Sequence, residues 1–152
     1  MMAKYVKGCF YCDQGPDFQD MFYYVCDLRI SSVFLAKDQT YRGRSSCMFK
    51  PAHYDELYEI PPEQMHEFMD DVAAVAETLK ELYQAKKINY AVYGDVVSHF
   101  HFNLVPKYPD SPGFGGPFEL NPKEKVLLSE EEYRRMIGEI AALARSKRGL
   151  EP

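Results

Sequence analysis

The 152-residue chain contains no tryptophan and no surplus of positive charge: 18 Lys plus Arg stand against 23 Asp plus Glu, a formal net charge of −5. A general nucleic-acid binder carries a basic face, so this balance argues against that class while leaving room for a small nucleotide in a local pocket. Long apolar runs are also missing, and none approaches the ~18–20 residues that cross a bilayer. Met1–Gly8 lacks the apolar stretch of a secretory leader. The expectation is a cytoplasmic protein with no membrane partner. Cysteine is sparse, at positions 9, 12, 26 and 47. In a reducing compartment these thiols read as metal ligands or buried groups rather than disulfides. Only Cys9 and Cys12 have the two-residue gap that suits a shared metal, while Cys26 and Cys47 read as small buried hydrophobes.

What is present belongs to a folded domain: 46% hydrophobic and 14% aromatic residues over a length that fits one domain, 1–152. Residues 21–38 are rich in aromatic and β-branched types, without Gly or Pro, and predict two strands broken near Arg29–Ser32. Gly43 opens a third strand that ends at Pro51. Pro61 and Pro62 suit the first turn of a helix. From Glu63, the spacing of Met65, Phe68, Met69, Val72, Ala76, Leu79 and Tyr83 predicts a helix with one buried face to about Ala85. Asn89–Val97 and His99–Lys107 read as two further strands. Residues 109–128 are Pro- and Gly-rich and irregular, and Ser129 with Glu132 forms a capping box for a final helix over 129–147. Short connections favour antiparallel pairing, so the fold class is α+β, with helices packed on a mostly antiparallel sheet.

His99, His101 and Asn103 fall on one face of a predicted strand, with Phe100, Phe102 and Leu104 on the other. Taken alone, that is a strand with polar residues toward water and aromatics toward the core. The longer string NYAVYGDVVSHFHFNLVPKY resembles the histidine triad (HIT) motif, His-φ-His-φ-His-φ-φ followed by Pro and a basic residue. RGRSSCMFKPAHYDEL resembles the family's Gly, apolar strand, Lys and His segment, and CFYC the Cys-x-x-Cys of its zinc-bearing bacterial branch. The resemblance covers residues 8–108. It implies a five-stranded HIT-like sheet with a long and a C-terminal helix, and a homodimer.

The resemblance makes His101 the nucleophile of a nucleotide hydrolase, attacking the α-phosphorus of a dinucleoside polyphosphate or nucleoside phosphoramidate. Asn103 occupies the third triad position, an amide that cannot titrate, which keeps a nucleotidyltransferase or phosphorylase open. A zinc-stabilised nucleotide-binding module with little turnover is the alternative of another class. Phosphoryl oxygens would meet Ser98, Asn103 and the Asp95–Val97 backbone. Asp95 puts an anion where relatives hold a neutral amide. Ala36 stands where the ribose-binding acid is expected, so Asp38 and Asn89 are the substitutes for polar contact with the substrate. Cys9, Cys12, His53 and His99 fill the places of a four-ligand structural Zn2+ site.

Overall fold

The computed structural model describes residues 5–152; residues 1–4, where the expectation about a leader begins, lie outside them. Five strands form one sheet: β1 (Phe22–Asp27), β2 (Ser31–Ala36), β3 (Ser45–Phe49), β4 (Lys87–Ala91) and β5 (His101–Lys107). Their order is β1-β2-β3-β5-β4, and every neighbouring pair is antiparallel. All six residues of β2 are buried because both faces of the sheet are covered. Side chains alternate along a strand. Val33, Leu35, Cys47, Phe49 and Leu104 therefore share one face, where they pack on Phe68, Val72, Val75, Met136 and Ile140. Phe34 and Met48 point the other way, onto Tyr11 and Phe18.

The first face is roofed by two long helices, α3 (Pro62–Tyr83) and α4 (Glu130–Lys147). Phe68, Val72, Ala76 and Leu79 are buried as their spacing predicts. Met69, expected in the same stripe, is 40% exposed, and Asp71 is instead fully buried. Its carboxylate accepts hydrogen bonds from Ile30 N (2.9 Å) and Ser31 Oγ (2.8 Å), and its other oxygen from Arg148 Nε (2.6 Å). A buried carboxylate needs such partners, and here they tie α3 to the β1–β2 turn and to the end of α4. Helix α4 starts at the expected capping box, with Ser129 Oγ accepting from Glu132 N (3.2 Å).

The second face is covered by chain that the periodicity does not reveal. Two short helices, α1 (Phe10–Asp13) and α2 (Pro16–Met21), precede β1. The first is a single turn capped by Cys9 Sγ, which accepts from Cys12 N (3.4 Å), and the second begins on Pro16. Such lengths are too short to show a 3.6-residue pattern. Beyond β5 the irregular segment folds back onto the same face, where Phe118 packs with Tyr41 and Val105. Lys107 is buried, and its Nζ donates to Gly113 O (2.9 Å), Gly116 O (2.8 Å) and Asn89 Oδ1 (3.3 Å). Gly113 has φ +69°, and a Cβ there would stand 2.5 Å from Pro117 O, so the turn Lys107 grips requires glycine. Among the described residues no helix is long and apolar enough to cross a membrane.

Candidate functional site

Cys9 caps the single turn of α1 and Cys12 lies within it, which brings both sulfurs to one point. His53, just after β3, and His99, just before β5, arrive from the sheet. The ligand atoms of these four residues all lie within 4.8 Å of one another. Cys12 Sγ is 3.6 Å from His53 Nδ1 and 3.5 Å from His99 Nδ1, while Cys9 Sγ is 3.7 Å from His99 Nδ1. Tetrahedral zinc with bonds of about 2.0–2.3 Å sets sulfur–nitrogen edges of roughly 3.5 Å, so the four residues fit that ion. Their outer nitrogens fit it too. His99 Nε2 faces Phe49 O at 2.7 Å and His53 Nε2 faces Asp55 Oδ1 at 2.9 Å, the outer contacts that orient metal-binding imidazoles. Burial holds His99 below its ordinary pKa, hence neutral and able to ligate, and pushes the Cys12 thiol up in the absence of a cation.

His101 opens β5. His99, which the sequence places on the same strand, lies just outside it. Both rings are buried rather than turned to water, because the Tyr11 ring covers them with centroids 5.8 Å from His99 and 4.8 Å from His101. His101 Nδ1 stands 2.7 Å from the main-chain oxygen of His99. Only an N–H can bond there, so the proton sits on Nδ1 and the lone pair on Nε2. Among the described residues Nε2 has no protein partner and is not sealed from solvent. Burial also lowers the His101 pKa, which keeps the ring neutral near pH 7. The result is an oriented, unprotonated nitrogen at the edge of the protein surface. Asn103 follows on the same face, its Nδ2 3.5 Å from Ala91 O.

The remaining site candidates divide between two places. Val97 and Ser98 line a cleft of about 710 Å³ with Cys9, Phe10, His53 and Asp55, and Ser98 Oγ lies 3.5 Å from His53 Nε2. Asp95 is exposed at the Gly94 turn and is not part of that lining. Asp38 and Asn89 are not brought to the histidines. Asp38 lies six residues beyond Ser32, whose partner Met48 pairs with His101. Its carboxylate accepts from Thr40 N (3.1 Å), Thr40 Oγ1 (2.7 Å) and Val126 N (3.1 Å). Asn89 pairs with Val105 and accepts from Lys107. Sequence reasoning passed over Tyr11, its hydrogen-bond partner Ser46 (2.5 Å) and Asp55. A His-x-Asp spacing at 53–55 was the one available signal for Asp55; Tyr11 looked like any aromatic inside a Cys-x-x-Cys loop.

No family model matches the chain. It is 33% identical over 60 residues to an uncharacterised HIT-like protein of Methanocaldococcus jannaschii, covering 37% of this chain and 46% of that one. It is 38% identical over 65 residues to a second such protein, from Mycoplasma genitalium, covering 40% and 44%. The chain therefore matches less than half the length of either curated relative. A histidine triad protein from Bradyrhizobium japonicum superposes with a TM-score of 0.77 over 86% of this chain and 96% of its own, at 18% identity. The chain has the histidine triad fold and is similar in sequence to HIT-like proteins. Other solved structures share this fold. A zinc-bound family protein from Mycobacterium smegmatis superposes with a TM-score of 0.60 at 18% identity, over 93% of this chain and 94% of that one. A hypothetical histidine triad nucleotide-binding protein from Sulfolobus tokodaii does so at 0.62 and 18%, over 86% and 88%.

Proposed function

We propose that this protein is a nucleotide hydrolase that cleaves at the α-phosphate of a dinucleoside polyphosphate or nucleoside phosphoramidate. The observation that carries the proposal is His101, with Nδ1–H spent on the His99 carbonyl and Nε2 unprotonated and open. The Nε2 lone pair forms a bond to phosphorus while the bond from phosphorus to the leaving oxygen or nitrogen breaks, and the leaving group keeps that electron pair and takes a proton from water. Water then adds to the nucleotidyl-histidine, the N–P bond breaks back to neutral imidazole, and nucleoside monophosphate departs. Asn103, Ser98 and the main chain of Asp95–Val97 supply donors for the phosphoryl oxygens. Cys9, Cys12, His53 and His99 would hold a structural Zn2+ whose closed shell leaves no position for water. It would fix the N-terminal turn beside His101.

Asn103 favours a second reading, transfer to another acceptor or phosphorolysis, because an amide orients an acceptor without handing a proton to a leaving group. Free thiols at all four cysteines suit a cytoplasmic setting. The edge strand β4, with Tyr90 half-exposed, offers a surface for an isologous homodimer.

Intact-protein mass after brief mixing with adenosine phosphoramidate or diadenosine tetraphosphate, together with AMP release, tests the proposal. A nucleotidyl adduct is expected on the unmodified protein, and His101→Ala should lower AMP release by about a thousandfold or more. Dependence of product on added phosphate would select the phosphorylase. Absence of adduct and of AMP from both substrates would leave a binding module.

A further inference from the structure

Arg44 stands at the head of β3 on the sheet face that carries His101. Alternation along β3 puts Met48, Ser46 and Arg44 on one side. Met48 pairs with His101, and Ser46 with Asn103. The Arg44 side chain is half-buried and lies over the Phe118 ring, 5.3 Å from its centroid. Tyr93 adds a second aromatic wall, 6.3 Å from Phe118. Nη1 donates to Leu120 O at 3.0 Å, which uses one of five guanidinium N–H donors.

Among the described residues no carboxylate lies within ion-pair distance of Arg44. Asp38 bears on its charge from a distance but is spent on Thr40, Val126 and Lys125. Burial accordingly lowers the Arg44 pKa from its ordinary value. Ala36, whose N–H bonds Arg44 O at 2.9 Å, places only a methyl group beside it on this face. A charge withdrawn from water without a protein anion is costly, and a bound anion would offset that cost. The guanidinium fork matches phosphoryl oxygens in particular.

We propose that Arg44 holds a phosphoryl group of the substrate other than the one His101 attacks, and so selects nucleotides carrying at least two phosphoryl groups. This rests on His101 being the site of attack. Arg44 lies four residues from Met48, the partner of His101, or roughly 13 Å along the strand. Its side chain spans part of that gap and leaves the remainder for a group on the far side of the reacting phosphorus. Two kinds of nucleotide offer such a group, one with further phosphates in the chain and one with a phosphate on the sugar.

Zinc-loaded His101→Ala protein, which cannot turn substrate over, provides the test. Calorimetry would compare AMP, ATP and adenosine 3′,5′-bisphosphate on that background and with Arg44→Gln or Arg44→Lys added. ATP should bind about tenfold or more tighter than AMP. Arg44→Gln should abolish this advantage, Arg44→Lys should keep part of it, and AMP affinity should move by less than about threefold. A purely structural role would weaken all three ligands alike. An advantage confined to the 3′,5′-bisphosphate would keep Arg44 as the anion-binding group and assign the phosphate to the sugar side. Equal loss across the ligands, no loss, or no binding by any of them overturns the proposal. A missing His101 adduct in the preceding experiment would leave this binding comparison standing, and the adduct would survive a null result at Arg44.

Discussion

The two faces of the sheet are built by different means. One is closed by α3 and α4, 22 and 18 residues long, through a continuous apolar cluster. The other is closed by one-turn and two-turn helices and an irregular segment, through smaller aromatic groups and polar ties: Tyr11 to Ser46, Lys107 to Gly113, Asp38 to Val126. Every residue proposed for chemistry or metal binding belongs to the second face or its rim. Apolar area stabilises the first face without specifying positions to a fraction of an ångström. Directional bonds fix positions on the second face while burying less apolar surface there.

The comparison can be broken from either side. Phe68 on α3 is fully buried among Phe49, Phe100 and Phe102. Phe68→Ala should cost about 3–5 kcal/mol by denaturant unfolding, with both faces lost in one transition. Two separate transitions would mean that the faces are independent units. A smaller and local effect is expected from removing metal with a chelator, or from Cys12→Ser. Amide exchange should rise over residues 6–22 and 95–101 while the amides of α3 and α4 stay protected. A uniform rise across both helices would show the metal to be as central as the apolar core.

The smallest effect is expected at Asp38, whose burial alone would raise its pKa but whose hydrogen bonds from Thr40 and Val126 outweigh that and hold it below the ordinary carboxylate range. Its contribution is therefore present above the unfolded-state pKa and fades as pH falls through the lowered folded-state value. Asp38→Asn should cost about 1 kcal/mol at pH 7, with the gap to the unaltered protein closing on acidification. A pH-independent gap would remove the charge from the explanation.

The same contrast explains what could be read in the sequence. Strands β1 to β3, helix α3 and the capped α4 announce themselves because their periods repeat over enough residues. The pairing of Cys9 and Cys12 with His53 and His99 was visible as residue types in the places of a known motif, and the structure brings those atoms together. Tyr11, α1 and α2 were hidden because single turns have no period. Asp71 carries no local signal of its burial, since its Ser31 and Arg148 partners arrive from distant chain. Arg44 reads only as the first residue of the third strand after Gly43; the Phe118 ring it lies over returns from 74 positions later.

The contact between Cys9 and His99 joins residues 90 positions apart, and that has a bearing on the order of assembly. A ribosome releases Cys9 and Cys12 early, when they can offer an ion two ligands. The third follows at His53, and the fourth only when the β5 hairpin has emerged. Closing so long a loop is entropically expensive until the strands between have paired. A metal held by these four residues would thus reach full affinity only after synthesis has passed His99, late in folding, as a seal on a sheet already made.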